Sequence, residues 1–372
     1  MNAIGTPSPP PGPPGEWQAL HVFYAASSRP LIVDCLKPLI DGLCADGLLA
    51  GYFFINYWVQ GPHVRLRLKP ITAAATDEVN RRAEAAVQAF LNRRPALYET
   101  QNEFAANLYE TLFELEFSPE EREQFIDADG RMLLRPNNTF THEPYEPEYG
   151  KYGGPAGVAL AEWHFERSTD LVIKANQSMN LHLRPVLLGL SAQLMMVMTT
   201  AFLPGEAASR EYLQSYHDFW SRSFSSTEYI RDKEYDEAYD KMGDRVASRF
   251  TDLRRALASG GARRLPEILA EWYAHSLELL GRVTELAERG DLVFESWEGD
   301  REERLTDPRQ AALRLLSPYL HMTNNRLYVT LDDEAYLSQV LARGLTDADR
   351  LQDDQVQDTG RPQDADRLQD SR

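Results

Sequence analysis

Basic residues, cysteines and long apolar runs are scarce in this sequence. Of its 372 residues, 39 are lysine or arginine and 57 are aspartate or glutamate, so the formal net charge is −18 at pH 7. Phosphate backbones are bound by basic surfaces, which argues against nucleic acid as a direct ligand but leaves room for a local basic pocket. No apolar run reaches the roughly 18 residues of a membrane span, and no signal-peptide pattern is found. We therefore expect a cytoplasmic protein that does not bind a membrane.

The chain has two cysteines, Cys35 and Cys44, in a stretch with helical spacing. We interpret both as small core residues in a reducing compartment. They lack the spacing of a zinc site. The sequence also lacks a glycine-rich phosphate loop and a Gly-x-Ser-x-Gly nucleophile elbow. We therefore predict neither a metal nor a cofactor.

The composition divides the chain into three parts. Apolar residues make up 43% and charged residues 26%, which is typical of a globular protein. Residues 1–16 are rich in proline and glycine and are predicted to be a disordered leader. Residues 17–344 are predicted to form the folded domain. Residues 345–372 repeat the heptapeptide DADRLQD and hold eight aspartates against four arginines, so we predict a disordered acidic tail.

The apolar spacing predicts an α+β fold. In the first half we expect a strand, a helix, two strands and a helix at 17–24, 31–49, 52–59, 63–69 and 74–90. This order predicts a mixed β-sheet packed with helices. Ser118-Pro119-Glu120-Glu121 predicts a helix start with a capping box. The second half is predicted to be largely helical, at 155–174, 181–202, 208–258, 265–289, 308–322 and 333–343, with the last helix stopped by Gly344.

The second strand of the predicted hairpin alternates strictly. Val64, Leu66 and Leu68 point to one face of a strand, and the other face carries His63, Arg65, Arg67 and Lys69. One interpretation is an amphipathic strand with a solvated basic face. The other is an anion site, because two arginines at i and i+2 can each grip a carboxylate with two N–H groups.

Three motifs occur in the chain in one order. They are WVQGPHVRLRLKP at 58–70, YEPEYGKYGG at 145–154 with an Ala-Glu-x-x-Phe helix after it, and SPYLHMTNNRL at 317–327. Together they resemble the signature of the elimination domain of class I lanthipeptide dehydratases. That domain also occurs as a free-standing protein in thiopeptide and related biosynthetic clusters. The resemblance spans most of residues 17–327.

The resemblance implies a reaction and a set of residues. In that family a partner esterifies a peptide serine or threonine with glutamate from glutamyl-tRNA. The elimination domain then removes the Cα proton and expels glutamate, leaving dehydroalanine or dehydrobutyrine. By motif match Arg65, Arg67, Glu148 and His321 fall on positions that the family uses. Lys151 stands where relatives commonly carry arginine, so it keeps the charge and loses the two-pronged grip.

We predict five catalytic residues: Arg65, Arg67, Glu148, Lys151 and His321. The predicted substrate-binding residues are His63, Tyr152, Asn325 and Arg326. For His321 the alternative is a packed helical histidine bonded to a backbone carbonyl. His21 is assigned to the first strand and given no role in the site.

The expected partners are a precursor peptide, with a leader and a glutamylated core, and a glutamylating dehydratase subunit; a homodimer is also considered. Two other functions stay open. One is a pyridine synthase, which joins two dehydroalanines in a formal aza-[4+2] cycloaddition and tends to lack the elimination residues. The other is a non-catalytic peptide-binding scaffold, which would need no base.

Overall fold

The computed structural model describes residues 13, 15–97, 112–113, 117–203, 205–224, 237, 239–258, 260, 264–296 and 301–359. These form two compact units. The first comprises Met1–Phe202 and Glu271–Leu331, and the second comprises Leu203–Ala270 and Asp332–Arg372. Most of the predicted leader and residues 360–372 of the predicted tail lie outside the described residues.

Among the described residues, six strands belong to the first unit. They are β1 (Gln18–Phe23), β2 (Leu49–Tyr57), β3 (His63–Pro70), β4 (Thr139–Glu143), β5 (Leu292–Glu295) and β6 (Glu302–Leu305). The helices before residue 203 are α1 (Arg29–Leu31), α2 (Lys37–Ala45), α3 (Thr76–Arg93), α4 (Pro119–Arg122), α5 (Tyr149–Tyr152), α6 (Gly154–Ser178) and α7 (Arg184–Phe202). Those after it are α8 (Glu206–Ser223), α9 (Gly243–Ala258), α10 (Glu267–Arg289), α11 (Pro308–Leu327) and α12 (Leu331–Thr359). A π-helical turn, Ile32–Leu36, joins α1 to α2.

The α+β class is confirmed, with the main sheet in the N-terminal half. Its strand order is β2-β3-β1-β4. Every described pairing in it is antiparallel, so the mixed sheet that we expected is wrong. The β2–β3 hairpin is as predicted; the difference lies in β1, which pairs antiparallel with both β3 and β4.

One face of this sheet packs against α3. Leu66 is 0% exposed, and Val79 and Val87, two turns apart on α3, are also 0% exposed. A side chain buried to this extent stabilises the fold by about 1.5–3 kcal/mol. The apolar half of the β3 alternation therefore lies in the core, as predicted.

Local signals set two helix starts. The Ser118 side chain accepts from the Glu121 N–H, and the Glu121 carboxylate accepts from the Ser118 N–H, which confirms the capping box. In α11 the Asp307 side chain accepts from the N–H groups of Arg309 and Gln310, just before Pro308. The last helical residue is Leu327, since Tyr328 takes a left-handed conformation with φ 67°. This helix therefore runs five residues beyond its predicted end.

Helix α7 confirms the predicted apolar helix. It is long and apolar enough to span a membrane by length and composition alone, but 56% of its apolar window is buried inside the protein. Ten of its residues, including Leu194, Met195 and Met198, are buried. Burial of this kind is typical of a core helix.

The second unit contains α8, α9 and the main part of α12. The Tyr216 hydroxyl donates to the Glu334 carboxylate at 2.5 Å, and the His217 Nδ1–H donates to the Ala335 carbonyl at 2.9 Å. These bonds join the middle of α8 to the first turns of α12.

The predicted end of the last helix is wrong. Helix α12 continues through Gly344 to Thr359, so the helix enters the segment that we predicted to be a disordered tail. A Cβ at residue 344 would lie 2.7 Å from Val246 Cγ1 on α9. Glycine at this position therefore permits close helix packing instead of ending the helix, and the next residue, Leu345, is 0% exposed.

Strands β4, β5 and β6 were not predicted. The β5–β6 hairpin has a structural task, since the Val293 N–H donates to the Gly153 carbonyl at 3.1 Å. Gly153 has φ 87°, which glycine adopts readily, and α6 starts directly after it. A Cβ at Gly157, in the first turn of α6, would lie 1.8 Å from the Tyr152 carbonyl oxygen. The backbone of the loop at Tyr152 therefore packs directly against Gly157, and any side chain at residue 157 would push it away.

We expect Gly157→Ala to lower the free energy of unfolding by about 1–3 kcal/mol, because overpacking forces backbone shifts. The control is Gly189→Ala in α7, where nothing lies within 4 Å of an added Cβ. That change should stabilise by about 0.5–1 kcal/mol through helix propensity. Urea unfolding of both variants measures the difference. Equal stability of the two variants would show that the loop adapts to a side chain at residue 157.

Candidate functional site

The face of β3 opposite the core carries the predicted basic cluster. Arg65 and Lys69 are partly exposed, whereas His63 and Arg67 are each 5% exposed. Arg67 is therefore a buried cation in the sheet. A solvated basic face does not describe such a side chain.

The neighbouring strands place further side chains on this face. In the β1–β3 register His21 lies opposite Arg65, and in the β2–β3 register Phe53 lies opposite Arg67 and Tyr57 opposite His63. The rings of His21 and His63 stack with their centroids 5.1 Å apart. Two histidines and two arginines thus form one cluster, which we call the Arg–His cluster.

Arg65 is bonded to His63. Its Nε–H donates to His63 Nε2 at 3.2 Å. The other ring nitrogen of His63, Nδ1, donates to the Gly61 carbonyl at 2.8 Å. These partners specify a neutral imidazole with its proton on Nδ1. Burial lowers the pKa of His63 to about 3; the Gly61 carbonyl partly opposes this, and Arg65 and Arg67 add to it.

Arg67 is bonded to His21. Its Nη1 lies 2.9 Å from His21 Nε2. Because a guanidinium can only donate, the histidine nitrogen accepts. Burial lowers the pKa of His21 to about 2, and the charges of Arg67 and Arg65 contribute. Burial also lowers the pKa of Arg67 to about 10, so this side chain stays positive at neutral pH.

One guanidinium nitrogen of Arg67 has no hydrogen-bond partner among the described residues. The bond to His21 uses Nη1, and Nε is buried without a hydrogen-bond partner. Within the described part of the chain, no carboxylate forms an ion pair with Arg67. The Nε–Nη2 edge of a guanidinium is a fork that matches the two oxygens of a carboxylate. The buried guanidinium of Arg67 therefore has an edge whose shape suits a carboxylate.

Aromatic rings support the cations. The Arg65 Cζ lies 3.3 Å from the centroid of the Tyr57 ring, and the Arg67 Cζ lies 5.5 Å from that of Tyr145. Ring faces attract cations without neutralising them, by about 0.5–2 kcal/mol. The Tyr145 hydroxyl is fixed by donating to the Glu162 carboxylate at 2.8 Å. Tyr145 comes from the second sequence motif, so the first two motifs meet at Arg67.

Glu148 and Lys151 lie on the loop and short helix α5. Both are exposed, and the Lys151 Nζ donates to the Glu148 carboxylate at 3.1 Å. An exposed pair of this kind contributes little to stability. Both charges act on the hydroxyl of Tyr152, whose pKa is raised to about 12 mainly by burial.

Two predicted substrate-binding residues are buried beneath this loop. Tyr152 is 3% exposed and Arg326 1% exposed. The Arg326 Cζ lies 4.5 Å from the ring centroid of Phe165, and its Nη1 donates to the Met322 carbonyl at 2.7 Å. Burial lowers the pKa of Arg326 to about 9. The structure thus places both residues under the site, and substrate contact by them stays a prediction.

Asn325 joins α11 to the edge strand β2. Its side-chain oxygen accepts from the Asn56 N–H at 2.9 Å, and its Nδ2 donates to the Asn56 carbonyl at 2.8 Å. The amide is used by the backbone, so its observed task is structural. His321 lies four residues earlier, on the same side of the helix, and is partly exposed.

The structure brings Arg65, Arg67 and His63 into one cluster. Glu148 and Lys151 lie on a second element and His321 on a third. The ring of Phe53, opposite Arg67, contacts the rings of Tyr145 and Phe165. Sequence reasoning missed His21, Tyr57 and Tyr145. The parity of β1 puts His21 on the face opposite Leu20 and Val22, but only the pairing of β1 with β3 places it beside the arginines. In the described chain, no three His, Cys, Asp or Glu side chains group to hold a metal ion.

Residues 17–345 match the family model described as lantibiotic biosynthesis dehydratase, C-terminal part. No curated protein matches the sequence. Among solved structures, TbtD, a pyridine synthase from thiomuracin biosynthesis, is similar with a TM-score of 0.68 and 20% identity over 90% of this chain and 99% of that one. TsrL gives a TM-score of 0.62 and 19% identity over 94% of this chain and 99% of that one.

A third similar structure is MibB, a tRNA-dependent lantibiotic dehydratase from Microbispora sp. 107891. Its TM-score is 0.54 and its identity 16%, over 94% of this chain and 29% of the MibB chain. The chain therefore corresponds to less than a third of that dehydratase. At these identities the three likenesses show a shared fold.

We expect stability to fall as the pH drops below 6.5. An unfolded histidine binds a proton there, whereas folded His21 and His63, with pKa values of about 2 and 3, do not. Protons then favour the unfolded state, by about 1 kcal/mol per histidine between about pH 7.5 and about pH 5.5. Urea unfolding at both pH values measures this, with the variant H21Q/H63Q as control. The control should lose less stability; equal losses would mean that these histidines are protonated in the fold.

Proposed function

Because the chain belongs to the lantibiotic biosynthesis dehydratase C-terminal family, we propose that it is a lyase acting on a ribosomally made precursor peptide. It eliminates glutamate from glutamylated serine and threonine side chains and leaves dehydroalanine and dehydrobutyrine. The setting is the biosynthesis of a thiopeptide or a related modified peptide.

The observation that carries this proposal is the free edge of Arg67. A buried guanidinium costs several kcal/mol when no anion accompanies it. Here the acceptor is a neutral imidazole, and Nε has no partner in the described part of the chain. An anionic ligand group satisfies both the charge and the fork. The carboxylate of a glutamyl group, or of the departing glutamate, has the required shape and charge.

The reaction is a β-elimination. A base takes the Cα proton, the electron pair of that bond forms the Cα–Cβ double bond, and the Cβ–O bond breaks. The glutamate carboxylate leaves with the electrons of the broken bond. Negative charge develops first at the peptide carbonyl and then on the leaving group, so fixed cations lower both barriers.

The residues divide by chemistry. Arg65 and Arg67 hold carboxylate and stabilise developing charge. His321, Glu148 and Lys151 serve proton transfer; the imidazole suits this task because its unperturbed pKa of about 6.5 lets it accept and release a proton near neutrality. His63 orients Arg65 through its Nε2.

The proposed partners follow from the reaction. The substrate must arrive already esterified, so a separate glutamylating dehydratase subunit precedes this protein. The chain spans 29% of the MibB dehydratase, a tRNA-dependent enzyme. We assign the tRNA-dependent step to that glutamylating subunit. The net charge of −18 fits a protein that does not bind tRNA itself. We place the protein in the cytoplasm, where the precursor peptide is made.

A pyridine synthase is the second candidate. It is favoured by the match in size and fold with TbtD, whose chain is covered to 99%. Such an enzyme joins two dehydroalanines that are already present. The free anion grip at Arg67 favours elimination, since dehydroalanines carry no charge.

The direct test uses a synthetic core peptide that carries a glutamyl ester on one serine. We expect the protein to convert it to the dehydroalanine peptide and free glutamate, as measured by mass spectrometry. The peptide without the ester should stay unchanged. H321A should leave the ester intact, because the arginines still bind it while proton transfer fails.

Two outcomes would oppose this proposal. Ring formation from a peptide with two dehydroalanines, without ester cleavage, would establish the second candidate. Full elimination by H321A would return His321 to a structural role and leave Glu148 or Lys151 as the proton-transfer group.

We expect Arg67→Lys to lower the elimination rate by roughly 100- to 1000-fold, as the loss of a transition-state donor typically does. The ammonium keeps the charge and loses the planar fork. The matched control is Arg81→Lys, an exposed arginine paired with Glu78 on α3, which should leave the rate unchanged. Steady-state rates on the ester peptide measure both variants. A rate for R67K within a few-fold of wild type would mean that Arg67 does not bind the reacting group.

A further inference from the structure

His21 lies at the Arg–His cluster without an assigned role. It is 9% exposed, and its Nε2 is 2.9 Å from Arg67 Nη1. Its ring stacks on that of His63 at 5.1 Å. Strand β1, which carries it, is held on both sides, by β3 and by β4. The imidazole therefore has a fixed position from which to hold the guanidinium.

The chemical type of this acceptor matters. A guanidinium has five N–H donors and no acceptor, so any group that orients it must accept. In proteins this acceptor is commonly a carboxylate, which also cancels the charge. An imidazole accepts at one nitrogen and stays neutral. With a pKa lowered to about 2 by burial and by Arg67 and Arg65, His21 remains neutral throughout the physiological range.

The same device occurs twice in the cluster. His63 accepts from Arg65 Nε through Nε2 while its Nδ1 donates to Gly61. Each arginine thus has one neutral imidazole acceptor. For Arg67 the bond uses Nη1, and Nε has no hydrogen-bond partner among the described residues.

We propose that His21 is a positioning residue for Arg67: its neutral Nε2 fixes the guanidinium with the Nε–Nη2 edge presented to a ligand carboxylate, and it leaves the positive charge uncancelled. This inference rests on the proposed function for the identity of the ligand, a glutamyl group. Orientation and uncancelled charge are separate contributions, and different substitutions remove them one at a time.

Three variants separate the two contributions. His21→Gln keeps a neutral acceptor close to the place of Nε2. His21→Leu keeps the bulk and removes the acceptor. His21→Glu keeps an acceptor and adds a negative charge next to Arg67. Urea unfolding of each variant selects conditions in which all are folded.

Two measurements are made on each variant. The first is kcat and KM on the glutamyl-ester peptide. The second is the affinity for a peptide in which diaminopropionate carries glutamate through an amide, a bond that the protein cannot eliminate. This probe reports on ligand binding whether or not the protein is a lyase.

We expect H21Q to resemble wild type in both measurements. H21L should lower kcat by about 100-fold, as small misplacements of a catalytic group do, with a smaller change in KM. H21E should bind the amide probe much more weakly than H21Q does, because the added carboxylate forms an ion pair with Arg67 and neutralises its charge. A purely structural role would instead order the variants by their stability.

Several results decide the matter. Probe binding by H21E as tight as that by H21Q would overturn the proposal, since charge would then be irrelevant. Turnover and binding of H21L equal to those of H21Q would overturn it as well, since no acceptor would be needed. If wild type binds the probe without eliminating the ester, and the variants keep the predicted order of affinities, the positioning role stands while the proposed lyase function fails.

Discussion

The site depends on one constraint, which is positive charge kept inside the sheet with no carboxylate in an ion pair with it among the described residues. Taking a guanidinium out of water costs several kcal/mol, and removal of the compensating group leaves that cost in full. Arg67, at 5% exposure, is held by the nitrogen of His21 and faces the ring of Tyr145. Neither group cancels its charge. A protein that only needed a stable strand would gain from a smaller apolar side chain at this position. The retained charge is therefore best explained by a ligand that brings the anion.

The rest of the first unit positions this charge against the loop that carries the other candidate residues. Phe53, opposite Arg67 in the sheet, contacts the rings of Tyr145 and Phe165. Phe165 in turn contacts the Tyr152 ring and the Arg326 guanidinium. These large rings have few rotamers in a packed interior, so a displacement at the loop is passed to the sheet. The glycines at 153 and 157 make the close packing of the loop possible. They therefore affect the positions of the charged residues Glu148 and Lys151, which the loop carries.

The sequence predicts what is local and fails where partners are distant. The alternation of β3, the capping box at Ser118 and the apolar helix α7 follow from spacing within a few residues, and the structure confirms them. The antiparallel pairing of β1, the strand β4 and the β5–β6 hairpin depend on contacts across many residues. His21 illustrates the difference. The alternation of β1 shows which face of the strand it occupies, but the sequence does not show that it lies beside Arg65 and Arg67. Gly344 shows the same limit from the other side. Its residue type predicts a helix end, but the helix continues because glycine there allows close contact with Val246.

The charge arrangement also bears on which reaction such a fold serves. Elimination releases a carboxylate, so its transition state carries more negative charge at the leaving group than the ester does, and a fixed fork gains strength as the bond breaks. A cycloaddition between two dehydroalanines expels no anion at the reacting carbons. In a cycloaddition, a buried arginine with a free edge would lower the stability of the protein and would stabilise the transition state little. Two arginines that each have a neutral imidazole acceptor therefore serve a reaction only if an anion forms next to them. This links the geometry of β3 to the chemistry that we propose.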